Sequence, residues 1–173
     1  PGDEVLTFSP YFVEYNSYVS NYDGKLVAID PDTETFQANI EDLERKITPK
    51  TKALIINNPN NPTGVVYSEE TIKKVAAILD AKQKEYGTEI FIVSDEPYRE
   101  LAYDGVEVPY ITKYYNNTIV GYSFSKSLSL PGERIGYLVI PDEVDDAEQM
   151  KTAAAIATRV LGFVNAPSLM QRA

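Results

Sequence analysis

Short apolar runs recur along this chain at 4–8, 25–29, 52–57, 89–94, 117–123 and 135–140, and segments with helical spacing fall between them. Segment 40–47 sets Ile40, Leu43 and Ile47 on one helical face, with Asn39 placed to cap its start. Segment 69–86 carries Ile72, Val75, Ala76 and Leu79 at the same spacing and closes near Gly87. A short helix is expected after Asp95 and a longer one over 142–162. Such alternation constrains the fold strongly. Strand–helix–strand repetition predicts an α/β protein of three layers, α/β/α, around a mostly parallel sheet. The last strand, 135–140, follows a connection too short for a helical crossover and is expected to run antiparallel.

A chain of 173 residues suits one domain with a sizeable core. It contains no cysteine, so a disulfide framework and thiolate metal sites are excluded. It contains no histidine either, which removes Ser-His-Asp triads, Cys-His pairs and imidazole zinc ligands. Acid–base chemistry, if present, falls to Lys, Asp, Glu or Tyr. The formal net charge of -10 opposes binding to a phosphate backbone, so no nucleic-acid partner is expected. No apolar run is long enough to cross a bilayer, and nothing at the start resembles a secretory signal; the expected compartment is the cytoplasm. Pro1 is not an initiator Met, and "NAPSLMQRA" reads as the start of a new helix with Pro167 in its first turn. The sequence therefore reads as a piece of a longer protein.

In open α/β sheets, ligands bind beyond the carboxyl ends of the strands. Here "ALIIN" is followed by "NPNNPTG", "FIV" by "SDEPY" and "IVGY" by "SFSK". Parallel strands would bring Asn61, Asp95 with Tyr98, and Ser123 with Lys126 to one rim. Each has a plainer alternative. The Asn-Pro stretch could be a rigid turn, Asp95 a helix cap, Tyr98 and Phe12 packing residues, and Lys126 and Arg134 surface charges.

The order "NPTG", "SDEPY", "SFSKSLSLPGERIG" resembles the class I aminotransferases, pyridoxal-phosphate (PLP) enzymes of fold type I, and more closely their aspartate- and aromatic-type members. The third stretch agrees with the family's lysine-attachment pattern at Ser123, Phe124, Ser125, Lys126, Ser129, Leu130, Gly132, Arg134, Ile135 and Gly136. The resemblance runs over nearly the whole chain, including "GKLVAID" and "VNAPSLMQ". It implies that Lys126 forms the Schiff base with the cofactor and then moves the proton, desolvation favouring its nucleophilic form. It implies that Asp95 pairs with the pyridine nitrogen. Tyr98 and Asn61 would bond the ring's phenolic oxygen, Ser123 and Arg134 would hold the phosphate, and Phe12 would stack on the ring. The Asn61–Pro62 bond is often cis in this family.

By the same resemblance, residues 1–173 are the PLP-binding core of the large domain. An upstream phosphate-binding turn, a tyrosine supplied by the neighbouring subunit and a C-terminal small domain with its carboxylate-binding arginine would lie outside it. The implied substrates are an amino acid and a 2-oxo acid such as 2-oxoglutarate, the implied parent is a homodimer, and the isolated piece is expected to be inactive. An edge beside strand 135–140 is expected to lie open. Arg159 lies near a second substrate arginine of some members but reads as a helix-surface residue. Two alternatives remain. One is a carbon–sulfur β-lyase of the same fold, although those enzymes usually carry "SDEIH" where this chain has "SDEPY". The other is a non-catalytic PLP-binding or regulatory module, which would have no chemical need for Lys126.

Overall fold

Each of the six apolar runs becomes a strand. The computed structural model describes residues 1–172. Within them β1 (Glu4–Phe8), β2 (Lys25–Ile29), β3 (Thr51–Asn57), β4 (Phe91–Asp95), β5 (Thr118–Ser123) and β6 (Gly136–Val139) form one sheet in the order β2-β1-β3-β4-β5-β6. All neighbours pair in parallel except β5 and β6, which run antiparallel with Ser123 opposite Gly136. That last pairing follows from the connection over 124–135, which is too short for a crossover.

The helices are α1 (Tyr15–Ser20), α2 (Ile40–Lys46), α3 (Glu69–Tyr86), α4 (Phe124–Ser127) and α5 (Ala147–Val160). Two of them start where capping chemistry dictates. The Asn39 side chain accepts the Asp42 N–H at 3.0 Å, and Ser68 Oγ accepts the Thr71 N–H at 3.1 Å. Gly87 ends α3 in the left-handed region at φ 65°, its N–H bonding the Gln83 carbonyl at 2.9 Å. Charge also suits both helices, with acids in the first turn and Lys or Arg in the last.

Side chains alternate across each strand, so parity assigns them to faces. Leu6 and Phe8 of β1, Leu54 and Ile56 of β3 and Ile92 of β4 join Leu43 of α2 and Ile72, Val75 and Leu79 of α3 in one buried cluster. The opposite parity, Ile55 and Asn57, Val93 and Asp95, Gly121 and Ser123, faces away from that cluster toward α1. Residues of α5 flank the same face near β5 and β6. The three-layer arrangement follows from this division.

Four details differ from the sequence reading. Helix α5 begins at Ala147 rather than 142, because the residues before it are held elsewhere. Val144 is buried, and Asp145 exchanges two hydrogen bonds with the Asn117 side chain at 2.6 and 2.8 Å. The segment after Asp95 forms only a single 3-10 turn, Arg99–Leu101. Pro167 starts turns instead of a helix, with the Gln171 N–H reaching its carbonyl at 3.2 Å. Helices α1 and α4 are short, six and four residues, and lack the repeated apolar spacing that marks α3.

Candidate cofactor site

The carboxyl ends of β3, β4 and β5 open into one cavity of about 400 Å³, within the range of small-molecule sites. Phe12, Asn61, Asp95, Tyr98, Ser123 and Lys126 all line it. Six of the seven residues singled out in the sequence are thus brought together, from four separate segments of chain. Arg134 is the exception.

Asp95 is the last residue of β4, and its parity points it away from the buried cluster into the cavity. Its side chain accepts the Tyr15 hydroxyl at 2.5 Å. Burial pushes its carboxyl upward, the Tyr15 hydrogen bond pulls it down, and the neighbouring Glu96 charge pushes it up again; the net direction is upward. Glu96 points to the other face. Its carboxylate accepts Ser94 Oγ and Arg99 Nε, each at 2.7 Å, and Arg99 in turn donates to the Val108 and Pro109 carbonyls. This network fixes the chain end on which Tyr98 sits.

Asn57 organises the neighbouring loop. Its amide donates to the Asp95 carbonyl at 2.9 Å, and its side-chain oxygen accepts the Asn61 N–H at 2.6 Å. The Asn61–Pro62 bond is cis, as are Ser9–Pro10 and Asn58–Pro59. Asn61 stands beside Tyr98 in the cavity wall. The Tyr98 phenol is raised by burial and by the Asp95 charge, while the Asn61 side chain acts to lower it.

Lys126 lies in the single turn of α4, capped by Ser123 Oγ on the Ser125 N–H at 3.1 Å. Its Nζ stands 5.8 Å from the centre of the Tyr98 ring, within cation–π range. The side chain is exposed, so the desolvation expected for it is not supplied by this chain: the cavity is open on the α4 side. Phe12, 38% exposed, sits at the rim and meets the Tyr15 ring edge-on at 5.8 Å. It lines the cavity while Tyr11 does not.

Arg134 sits apart. It is exposed, adopts the left-handed conformation at φ 50°, and its guanidinium makes one long hydrogen bond, 3.4 Å to the Pro131 carbonyl. Its backbone is close to Ser123 all the same, since the Phe124 N–H bonds the Ile135 carbonyl and Gly136 pairs with Ser123. Arg159, in the last turn of α5, is exposed and outside the cavity. Sequence reasoning missed Tyr15 and Asn57. Nothing local distinguishes Tyr15 among 13 tyrosines, while Asn57 was hidden in an Asn-Pro stretch that reads as a turn.

No group of three or more acidic residues among the described ones could hold a metal ion. The polar lining instead suits an organic, ring-bearing ligand. It offers one carboxylate for a ring nitrogen, one amine, phenol and amide groups, and an aromatic rim.

The sequence profile of the family "Aminotransferase class I and II" matches residues 1–173. The chain belongs to that family. Its members are PLP-dependent enzymes, and the residues just described fit that cofactor. The chain is 41% identical over 147 residues to a probable aspartate/prephenate aminotransferase of Aquifex aeolicus, covering 82% of this chain and 36% of that protein. Among solved structures, an aminotransferase from Eubacterium rectale superposes with a TM-score of 0.96 at 55% identity, over 98% of this chain and 43% of that one. The aspartate aminotransferase of Thermus thermophilus, solved with maleate, gives 0.77 at 35% identity, over 92% and 39%. The chain thus spans a little over a third of the length of the curated relatives it matches.

Proposed function

We propose that the protein carrying this chain is a PLP-dependent aminotransferase of the aspartate or aromatic type, moving an amino group from an amino acid to a 2-oxo acid such as 2-oxoglutarate. One observation carries the reading: Asp95 and Lys126, an acid and an amine from different strand ends, line one cavity sized for a small molecule. When bound, the cofactor supplies a ring that accepts electrons as the substrate's α proton leaves.

The residues divide the work. Asp95 holds a proton on the ring nitrogen, a task that needs an ionised carboxylate. Lys126 would hold the cofactor through its amine and, as a base, would take up the proton that leaves the substrate's α carbon. Tyr98 and Asn61 donate hydrogen bonds to the ring oxygen. Phe12 covers one ring face with a flat apolar surface. Ser123 and Arg134 hold the phosphate. Arg134, restrained by a single long bond, is free to turn its planar fork toward that anion. Residues 1–173 serve as the cofactor-binding core. The substrate-binding groups and the homodimer contacts belong to the rest of the protein, so the isolated chain is expected to be inactive.

The test is an assay of the full-length protein with aspartate or an aromatic amino acid and 2-oxoglutarate. Glutamate formation that depends on both substrates supports the reading. Pyruvate and ammonia released from cystathionine without an acceptor would make it a β-lyase instead. PLP binding with neither reaction would leave a non-catalytic module.

A further inference from the structure

Asp95 has a partner that the motif pattern does not account for. Tyr15, the first residue of α1 and 4% exposed, reaches across the fold to donate its hydroxyl to Asp95 Oδ2 at 2.5 Å. Its ring is fixed between Tyr11, parallel at 6.4 Å, and Phe12, edge-on at 5.8 Å. It lines the same cavity as Lys126. A carboxylate has two oxygens and about four acceptor sites, and Tyr15 is the only side chain among the described residues that hydrogen-bonds this one. The ionisable groups around Asp95 are Tyr15 from α1, Glu96 and Tyr98 from its own strand end, and Lys126 from α4. Of the influences resolved on the carboxyl, the Tyr15 bond alone favours the anion; burial and Glu96 oppose it.

We propose that Tyr15 is a positioning residue of the cofactor site, holding Asp95 Oδ2 so that the carboxylate stays anionic and presents Oδ1 to the ring nitrogen of PLP. The proposal rests on the reading of the cavity as a PLP site. Between a carboxylate and a pyridine nitrogen, one proton is shared by two bases. Each hydrogen bond donated to the carboxylate lowers its proton affinity and leaves the proton on the ring, where the contact is a charge-assisted ion pair. Without the Tyr15 hydroxyl the proton moves toward Asp95, and a neutral hydrogen bond of about half the strength replaces the ion pair.

The experiment is a double-mutant cycle on the full-length protein: wild type, Tyr15→Phe, Asp95→Asn and the double variant, each titrated with PLP at fixed pH. Phenylalanine keeps the ring and its packing. Tyr15→Phe is expected to weaken PLP binding on the order of tenfold when Asp95 is present and less than about twofold in the Asp95→Asn background, because its effect runs through the carboxylate. With PLP labelled at its ring nitrogen, the ¹⁵N resonance is expected to move toward the unprotonated position in Tyr15→Phe while the far-ultraviolet circular dichroism stays unchanged. Equal weakening in both backgrounds, or an unmoved ¹⁵N resonance, overturns the proposal and leaves Tyr15 as packing alone. Absence of saturable PLP binding in the wild type overturns the cofactor reading itself, a distinct outcome.

Discussion

The two sides of the sheet are built from similarly apolar runs and end in opposite conditions. On the β1–β3–β4 side, Leu54 and Ile92 are fully buried, and α3 turns Ile72, Val75, Ala76 and Leu79 into the core. On the β5–β6 side, every residue of β6 is exposed, Leu138 to 56%, and α5 buries none of its residues. The cavity straddles this boundary. Asp95, Tyr15, Asn57 and Asn61 lie on the packed side and are tied to one another by hydrogen bonds of 2.5–2.9 Å. Lys126 and Arg134 lie on the open side and are exposed. The acid side of the cavity is thus set by the fold, while Lys126 on its other side is left adjustable, and Arg134 stands outside it. A rigid supporting shell is what holds functional groups in productive geometry, and here only one half of the site has it.

That contrast can be broken by stability measurements. In urea denaturation of the 173-residue chain, Leu54→Ala is expected to cost about 3 kcal/mol, since it opens a void in the packed side. Asp42→Ala is expected to cost about 2 kcal/mol. Asp42 is buried, yet Lys46, the Asp30 N–H and Arg45 all bond its carboxylate and hold it below the ordinary range against the upward push of burial. Because its folded value is lowered, its contribution is present above about pH 4 and is lost as pH falls through the folded value. The variant should therefore show a smaller loss of stability in acid than the wild type.

Asp95→Asn should act in the opposite direction, raising stability of the cofactor-free protein at pH 7 by about 1 kcal/mol. Its folded value is raised, so the wild-type carboxyl favours folding at low pH and loses that contribution as pH rises through the folded value. Destabilisation by Asp95→Asn would show that the acid is structural rather than held ready for a ligand. Leu138→Ala has the smallest expected effect, within about 0.5 kcal/mol. A cost of several kcal/mol there would erase the difference between the two sides.

Much of this was legible in the sequence because the signals were local and periodic. The strands, the span of α3 with its Gly87 end, the Asn39 start of α2 and the antiparallel β6 follow from apolar spacing, capping residues and connection length. The convergence of Asn61, Asp95, Tyr98, Ser123 and Lys126 followed from one topological rule about strand ends. What stayed hidden was set by tertiary contact. Tyr15 reaches Asp95 across 80 positions, and the late start of α5 depends on Asn117 capturing Asp145. No window of sequence contains both partners. The exposure of Lys126 was equally invisible, because its residue type and motif say nothing about how much protein covers it.

The central claim is that Lys126 and Asp95 face the same bound ring. The most direct measurement is borohydride reduction of the full-length protein loaded with PLP, followed by peptide mapping by mass spectrometry. The account predicts a pyridoxyl adduct on the peptide containing Lys126, lost in Lys126→Ala and strongly reduced in occupancy in Asp95→Asn at limiting PLP. An adduct spread over surface lysines such as Lys52 and Lys74, with occupancy indifferent to Asp95, would contradict it.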